Sequence, residues 1–146
     1  VVIDWGAVLD GYCSDCTRTL ATGDLDDESR AVYELVLEAQ LAGLSAVRAG
    51  VSGREADGVA RAVIDAGGHA EPFAQGLGHG GGLEVPEAPR LSQRSDSVLA
   101  SGNLVTVEPG VYLPGRLGVR IEDLVAVTES SCEILTGVPK ELITVE

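Results

Sequence analysis

Glycine dominates the stretch from Gly76 to Gly82, and two closely spaced prolines, Pro86 and Pro89, follow it. Proline lacks the backbone donor that a helix interior requires, and glycine loses the most conformational freedom there, so this stretch is read as irregular chain. Between Asp26 and about Arg48 the apolar positions Val32, Leu35, Val36, Ala39, Ala42 and Ala46 recur at three- and four-residue spacing behind an acidic start. That pattern predicts a long helix whose first turn complements the helix dipole. Leu37, Leu41 and Leu44 make a second stripe, so both faces are expected to meet protein. Ser52-Gly53-Arg54-Glu55 then has the capping-box pattern of a second, shorter helix that stops at Gly67-Gly68.

The two ends of the chain read as β structure. Val1 to Gly23 alternates small apolar and polar residues around Asp10-Gly11, a dipeptide that closes a tight hairpin. Leu104 to Tyr112 and Leu117 to Thr128 are β-rich, split by Pro114-Gly115-Arg116, and Glu133 to Leu135 adds a short strand. The sheet is therefore expected to be assembled from both ends, giving an α+β class. No internal repeat or linker is visible, so residues 1–146 are read as one domain.

Composition removes several classes of function. Apolar residues make up 45% of the chain, which suits a folded domain, while 10 basic residues against 23 acidic ones leave a formal charge of −13. That charge repels phosphate backbones and anionic lipid, so neither nucleic acid nor membrane is an expected partner. No apolar run approaches the roughly 18 residues of a spanning helix. Three cysteines are too few for a secreted disulfide framework, which points to a reducing, cytoplasmic setting. The chain has no methionine and opens on Val1-Val2-Ile3, so it is not expected to be a complete translation product.

The acidic residues fall into a pattern. If Asp10-Gly11 is a two-residue turn, Leu9 pairs with Tyr12, Asp4 falls opposite Thr17, and Asp15 lies on its diagonal on the same face. Two unit charges roughly 4 Å apart at an effective dielectric of about 20 repel by about 4 kcal/mol. Such a pair must be solvated, protonated or neutralised by a cation. Glu108 and Glu122 approach the same point only if the loop between their strands has an odd number of residues, such as Pro114-Gly115-Arg116, or if a bulge repairs the register. His79, set among glycines, supplies one imidazole. Taken singly, each of these is best read as a solvated strand or loop residue. Jointly, four carboxylates and one nitrogen suit two divalent ions of the manganese, iron, cobalt or zinc kind.

These residues stand in the segments Ile3-Asp4-Trp5-Gly6-Ala7, Gly11-Tyr12-Cys13-Ser14-Asp15-Cys16-Thr17-Arg18-Thr19, Gly76-Leu77-Gly78-His79-Gly80, Val107-Glu108-Pro109-Gly110 and Gly118-Val119-Arg120-Ile121-Glu122-Asp123. In order and spacing they resemble the pita-bread metallopeptidases, the family of methionine aminopeptidase, aminopeptidase P and prolidase, and within it the proline-specific branch. The resemblance implies the pita-bread (creatinase/aminopeptidase) fold, a curved, mostly antiparallel sheet with helices on one side, here the C-terminal portion of the catalytic domain with its N-terminal part absent. It implies hydrolysis of Xaa-Pro peptide bonds with two metal ions, manganese foremost and cobalt, zinc or iron as alternatives. By the same resemblance Asp4 chelates one ion, Asp15 and Glu122 bridge both, and His79 and Glu108 hold the other. A water between the metals is the implied nucleophile, Glu108 the implied proton shuttle, and His79 belongs to the catalytic set. The implied partner is a peptide with proline second, and a homodimer is a family expectation.

Two positions depart from that pattern. Proline-specific members carry a substrate-facing histidine four residues before the ligand histidine and another seven after it, where this chain has Gln75 and Pro86. Gln75 can still donate a hydrogen bond, whereas Pro86 cannot. The departures raise the alternative of a weakly active or inactive pita-bread domain that binds protein or peptide. Arg120, with Tyr112, is a candidate for ordering the metal shell or substrate, against a structural ion pair with Glu122. The C-x-x-C spacing of Cys13 and Cys16 has no second pair for zinc, and residues three apart on a strand face opposite ways. His69, past a double glycine, reads as an exposed loop residue.

Overall fold

A computed structural model gives the fold and describes every residue except Ala70, Pro72, Ala74 and Glu146. The chain opens with β1 (Val2–Trp5), β2 (Val8–Leu9), β3 (Tyr12–Cys13) and β4 (Cys16–Thr19). β2 and β3 form the tight hairpin with Leu9 opposite Tyr12, and Asp10 and Gly11 both take positive φ, 51° and 87°. The primed turn matches the twist of its strands, and below it β1 and β4 continue the ribbon with Asp4 opposite Thr17, in the register read from the sequence.

After β5 (Ala21–Thr22) come α1 (Asp27–Ala46) and α2 (Gly53–Ala66). Asp26 caps α1 by accepting the Ser29 N–H at 2.7 Å, and Ser52 and Glu55 close the reciprocal capping box of α2. α1 buries Val32, Val36, Ala39 and Leu44, but Leu41 is half-exposed, so the second stripe expected on its far side is only partly covered. His69 is half-buried behind the end of α2, where its N–H donates to the Ile64 carbonyl, rather than being an exposed loop residue.

The glycine- and proline-rich stretch is not irregular throughout. It supplies β6 (Gly78–Gly80) and β7 (Glu87–Leu91), and these join β8 (Leu104–Val107), β11 (Asp123–Val127) and β12 (Cys132–Ile134) in a five-stranded sheet of order β12-β11-β8-β6-β7, with β9 (Gly110–Leu113) and β10 (Leu117–Arg120) as a separate ribbon. β7 is the edge strand, and the register shifts between His79 and Gly80, so Pro89 falls at an edge and a bulge, where no ladder donor is needed. A Cβ on Gly78 would lie 2.0 Å from the Thr106 carbonyl oxygen, so only glycine lets β6 come this close to β8. The sheet is drawn from the C-terminal half rather than from both ends. The N-terminal segment pairs with itself, with β13 (Thr144–Val145) through β5, and with the sheet through the Glu122 N–H donating to the Thr17 carbonyl at 3.0 Å.

The loop between β9 and β10 has three residues, Pro114, Gly115 and Arg116, with Leu113 opposite Leu117. The same register resumes at Val107 opposite Asp123, so Glu108 and Glu122 face each other across the break in the ladder. Beneath this ribbon the core is apolar, with Val105, Val107 and Val125 against Leu77 and Ala60 on one side, and Val111, Val119 and Ile121 against Val32 and Val36 on the other.

Candidate metal centre

Each candidate ligand is placed by a different piece of backbone. Asp15 lies between β3 and β4, His79 is the middle residue of β6, Glu108 follows β8, and Glu122 stands between β10 and β11. The Glu108 N–H donates to the Leu77 carbonyl at 2.8 Å, which ties that ligand to the strand bearing His79. One ligand atom from each of Asp15, His79 and Glu122 lies within 4.8 Å of the others. His79 Nε2 is 3.1 Å from Glu108 Oε1 and 3.6 Å from Asp15 Oδ2.

These separations fit a metal. Two donors about 2.1 Å from one ion sit at most about 4.2 Å apart, so a small contraction suffices. The imidazole is also turned the right way: Nδ1 is 3.0 Å from the Gly80 carbonyl oxygen, which can only accept, so Nδ1 carries the proton and Nε2 offers its lone pair to the cluster. Electrostatics point the same way. Among protein groups alone, burial pushes the Glu122 carboxyl up to about 8, with the charges of Glu108, Asp15 and Asp4 adding to the effect and the Thr17 hydrogen bond opposing it. Burial, then the charge of Asp4, also raise Asp15. Burial alone would lower His79, but its contacts with Glu108, the Gly80 carbonyl and Asp15 outweigh this and raise it. Carboxylates held this close and this dry either keep a proton or share a cation.

Asp4 stands apart from that tight group. Its carboxylate is 57% exposed and accepts from Arg120 Nη2 at 2.5 Å, so the ion pair of Arg120 is with Asp4 and not with Glu122. Arg120 also donates from Nε to Thr17 Oγ1 at 3.1 Å and from Nη1 to the Tyr112 hydroxyl at 2.8 Å, which ties Asp4 to the ribbon under Glu122. Gln75 lies beside the cluster, its amide donating to the Glu108 carbonyl at 3.2 Å. A cavity of about 350 Å³ opens there between Gln75, Gly78, His79, Arg90, Ser92 and Glu108. Pro86 is exposed in the loop joining β6 to β7. Cys13, Cys16 and Cys132 are all free thiols.

Several residues that hold the cluster were not singled out for that job in the sequence. Asp123, fully buried, accepts from Arg18 at 2.7 Å, Gln40 at 2.8 Å and Lys140 at 2.5 Å, while Arg18 also donates to the Glu122 and Thr17 carbonyls. Strand neighbours point to opposite faces, so anchoring Asp123 from behind turns Glu122 toward the cluster. Thr106 is two residues before Glu108, a spacing that puts both on one face, but a threonine in a strand is ordinarily a sign of β propensity only.

The domain is an α+β unit that gathers carboxylates and one imidazole from separate strands at one point. Residues 1–129 match Metallopeptidase family M24, and the chain belongs to that family. It is 45% identical over 143 residues to an Xaa-Pro dipeptidase of Pyrococcus furiosus, an alignment covering 98% of this chain and 41% of that protein. The structure of an Xaa-Pro dipeptidase from Bacillus anthracis superposes with a TM-score of 0.97 at 51% identity, covering 99% of this chain and 41% of the other. That of an X-Pro aminopeptidase from Thermotoga maritima MSB8 gives 0.96 at 47% identity, covering 99% and 40%. The fold is the pita-bread fold. The chain spans about two fifths of the length of these relatives.

Proposed function

We propose that this chain carries the metal centre of a peptidase that hydrolyses Xaa-Pro bonds with two divalent ions, manganese foremost. The observation that supports it most is the convergence of Asp15, His79 and Glu122 within 4.8 Å, with Glu108 at hydrogen-bond distance from His79, in a member of Metallopeptidase family M24. His79 and Glu108 would hold one ion, Asp4 the other, with Asp15 and Glu122 shared between them. When bound, such ions acidify a water and offset charge on the tetrahedral oxyanion. Glu108 is the proton carrier, since its carboxylate borders the open cavity and can pass a proton from the attacking water to the leaving amine. Arg120 holds Asp4 in place, and Gln75 and Arg90 line the space where a peptide would extend. The bond before proline has no amide hydrogen, and a water nucleophile needs none. Relatives named as Xaa-Pro peptidases support a peptide substrate with proline second. No described helix is long and apolar enough to cross a membrane.

The test is hydrolysis of Gly-Pro and Ala-Pro-Xaa peptides with added manganese, repeated after chelation and with Glu108→Gln. Turnover should vanish on chelation and fall about 10²- to 10⁴-fold in the variant. Turnover that survives chelation refutes the metal mechanism. The binding-module reading draws on Gln75, whose amide is committed to the Glu108 carbonyl, and on Pro86. Manganese uptake without turnover on either peptide supports that reading instead.

A further inference from the structure

Behind two of the carboxylates stands a fully buried threonine. Thr106 Oγ1 accepts the His79 backbone N–H at 3.1 Å and donates to Glu108 Oε1 at 2.9 Å. Thr17 Oγ1 accepts Arg120 Nε–H at 3.1 Å and donates to Glu122 Oε2 at 2.5 Å. A hydroxyl has one proton, and an amide or guanidinium N–H can only donate. The N–H aimed at each threonine oxygen therefore leaves the hydroxyl proton one destination, the carboxylate.

We propose that Thr106 and Thr17 are the positioning residues of this metal centre, holding the Glu108 and Glu122 carboxylates in the orientation that meets the cations. The inference rests on the metal reading given under Proposed function and adds to it which residues set ligand geometry. Neither threonine touches the reacting atoms. A free glutamate side chain gives up rotamer freedom when a metal fixes it, and a carboxylate already fixed by a buried donor has little left to lose. The two threonines divide the work. Thr106 joins His79 to Glu108, whose ligand atoms meet at 3.1 Å, while Thr17 joins Glu122 through Arg120 to Asp4. Loss of the Thr106 hydroxyl should weaken the ion held by His79 and Glu108, whereas loss of the Thr17 hydroxyl should weaken both ions, because Glu122 is shared between them.

The experiment is calorimetric titration of the chelator-stripped, intact protein with manganese chloride, comparing wild type with Thr106→Ser, Thr106→Val, Thr17→Ser and Thr17→Val. Serine keeps the hydroxyl, whereas valine keeps the branched shape of a strand residue and removes it. Thr106→Val should lose about 10- to 100-fold in affinity at one of two binding steps and Thr17→Val at both, with the serine variants within about threefold of wild type. The melting point of each metal-free variant is recorded alongside, because a merely structural residue would move that value and leave the affinity step in place. If Thr106→Val does not fold, Thr106→Ala makes the same comparison with serine. Valine variants that bind like wild type, or serine variants that lose as much as valine, overturn the proposal alone. A wild type that takes up no manganese overturns the metal reading, and the proposal with it.

Discussion

Glu122 meets opposition to its ionisation from burial first and then from the charges of Glu108, Asp15 and Asp4, and only the Thr17 hydroxyl works the other way. Its carboxyl is raised from the ordinary 4.5 to about 8, and Asp15 and His79 are raised as well. The sign of the linkage follows. A group that binds its proton more tightly when folded stabilises the fold fully below its unfolded pKa and loses that contribution as pH rises through the folded value. Protein stripped of metal should therefore melt at progressively lower temperature as pH is raised from about 4.5 to about 8. Saturating manganese should reverse the slope, since a cation competes with these protons and binds the ionised carboxylates. Melting curves across that range, with chelator and with manganese, check both halves. Glu122→Gln should flatten the metal-free slope. A metal-free slope of opposite sign would mean that burial does not govern this carboxylate.

The chain entering β6 is held by a pair of side chains acting as a neighbouring strand would. Arg61 donates to both Asp57 oxygens at 2.8 and 3.0 Å, to the Phe73 carbonyl at 2.6 Å and to the Gln75 carbonyl at 2.8 Å, while the Leu77 N–H donates to Asp57 Oδ1 at 3.0 Å. Residues 73, 75 and 77 alternate along one edge, and one turn of α2 satisfies all three. Asp57 is fully buried, so Arg61→Met leaves an unpaired interior charge and should cost about 3–5 kcal/mol. The exposed Arg54–Asp96 pair has side chains 56% and 87% accessible, and Arg54→Ala should cost less than about 1 kcal/mol. Urea unfolding of the two variants measures the contrast. Elements of this kind also mark where sequence reading stops. The hairpin at Asp10-Gly11 and the three-residue loop at Pro114-Gly115-Arg116 were legible because a turn fixes a register, and a register fixes which carboxylates share a face. β6 and β7 were not, because glycine and proline weaken a strand in general. Here glycine allows the close approach of β6 to β8 and Pro89 falls at an edge bulge, facts of tertiary placement that no local pattern carries. Thr17 was hidden for a similar reason, since its partner Glu122 is 105 residues away and their meeting depends on the whole sheet, whereas Thr106 shares a face with Glu108 by local spacing but reads first as ordinary β propensity.

Across the whole molecule the candidate ligands join segments far apart in sequence, from β1 and the start of β4 to the far side of the β9–β10 ribbon. A pair of cations that together touch all of them would act as a staple, and their binding energy would become stability because the unfolded chain has no such site. At 100 times its dissociation constant one ion adds about 2.7 kcal/mol, so two independent ions add roughly 5 kcal/mol. In a chain of this size that corresponds to a rise in melting temperature on the order of 10–20 °C. A formal charge of −13 means that any divalent cation will also relieve diffuse repulsion, so a rise with manganese alone would not separate the site from the field. Magnesium makes the separation. It carries the same charge and screens equally, but it prefers oxygen ligands in strict octahedral geometry and keeps its waters, which suits a site containing an imidazole poorly. The melting temperature should therefore rise well above the magnesium value at equal concentrations of manganese, and His79→Ala should remove that difference while leaving the magnesium response in place. Scanning calorimetry of wild type and variant in the two chlorides makes the measurement. Equal responses to the two metals in the wild type would reduce these carboxylates to a patch of surface charge.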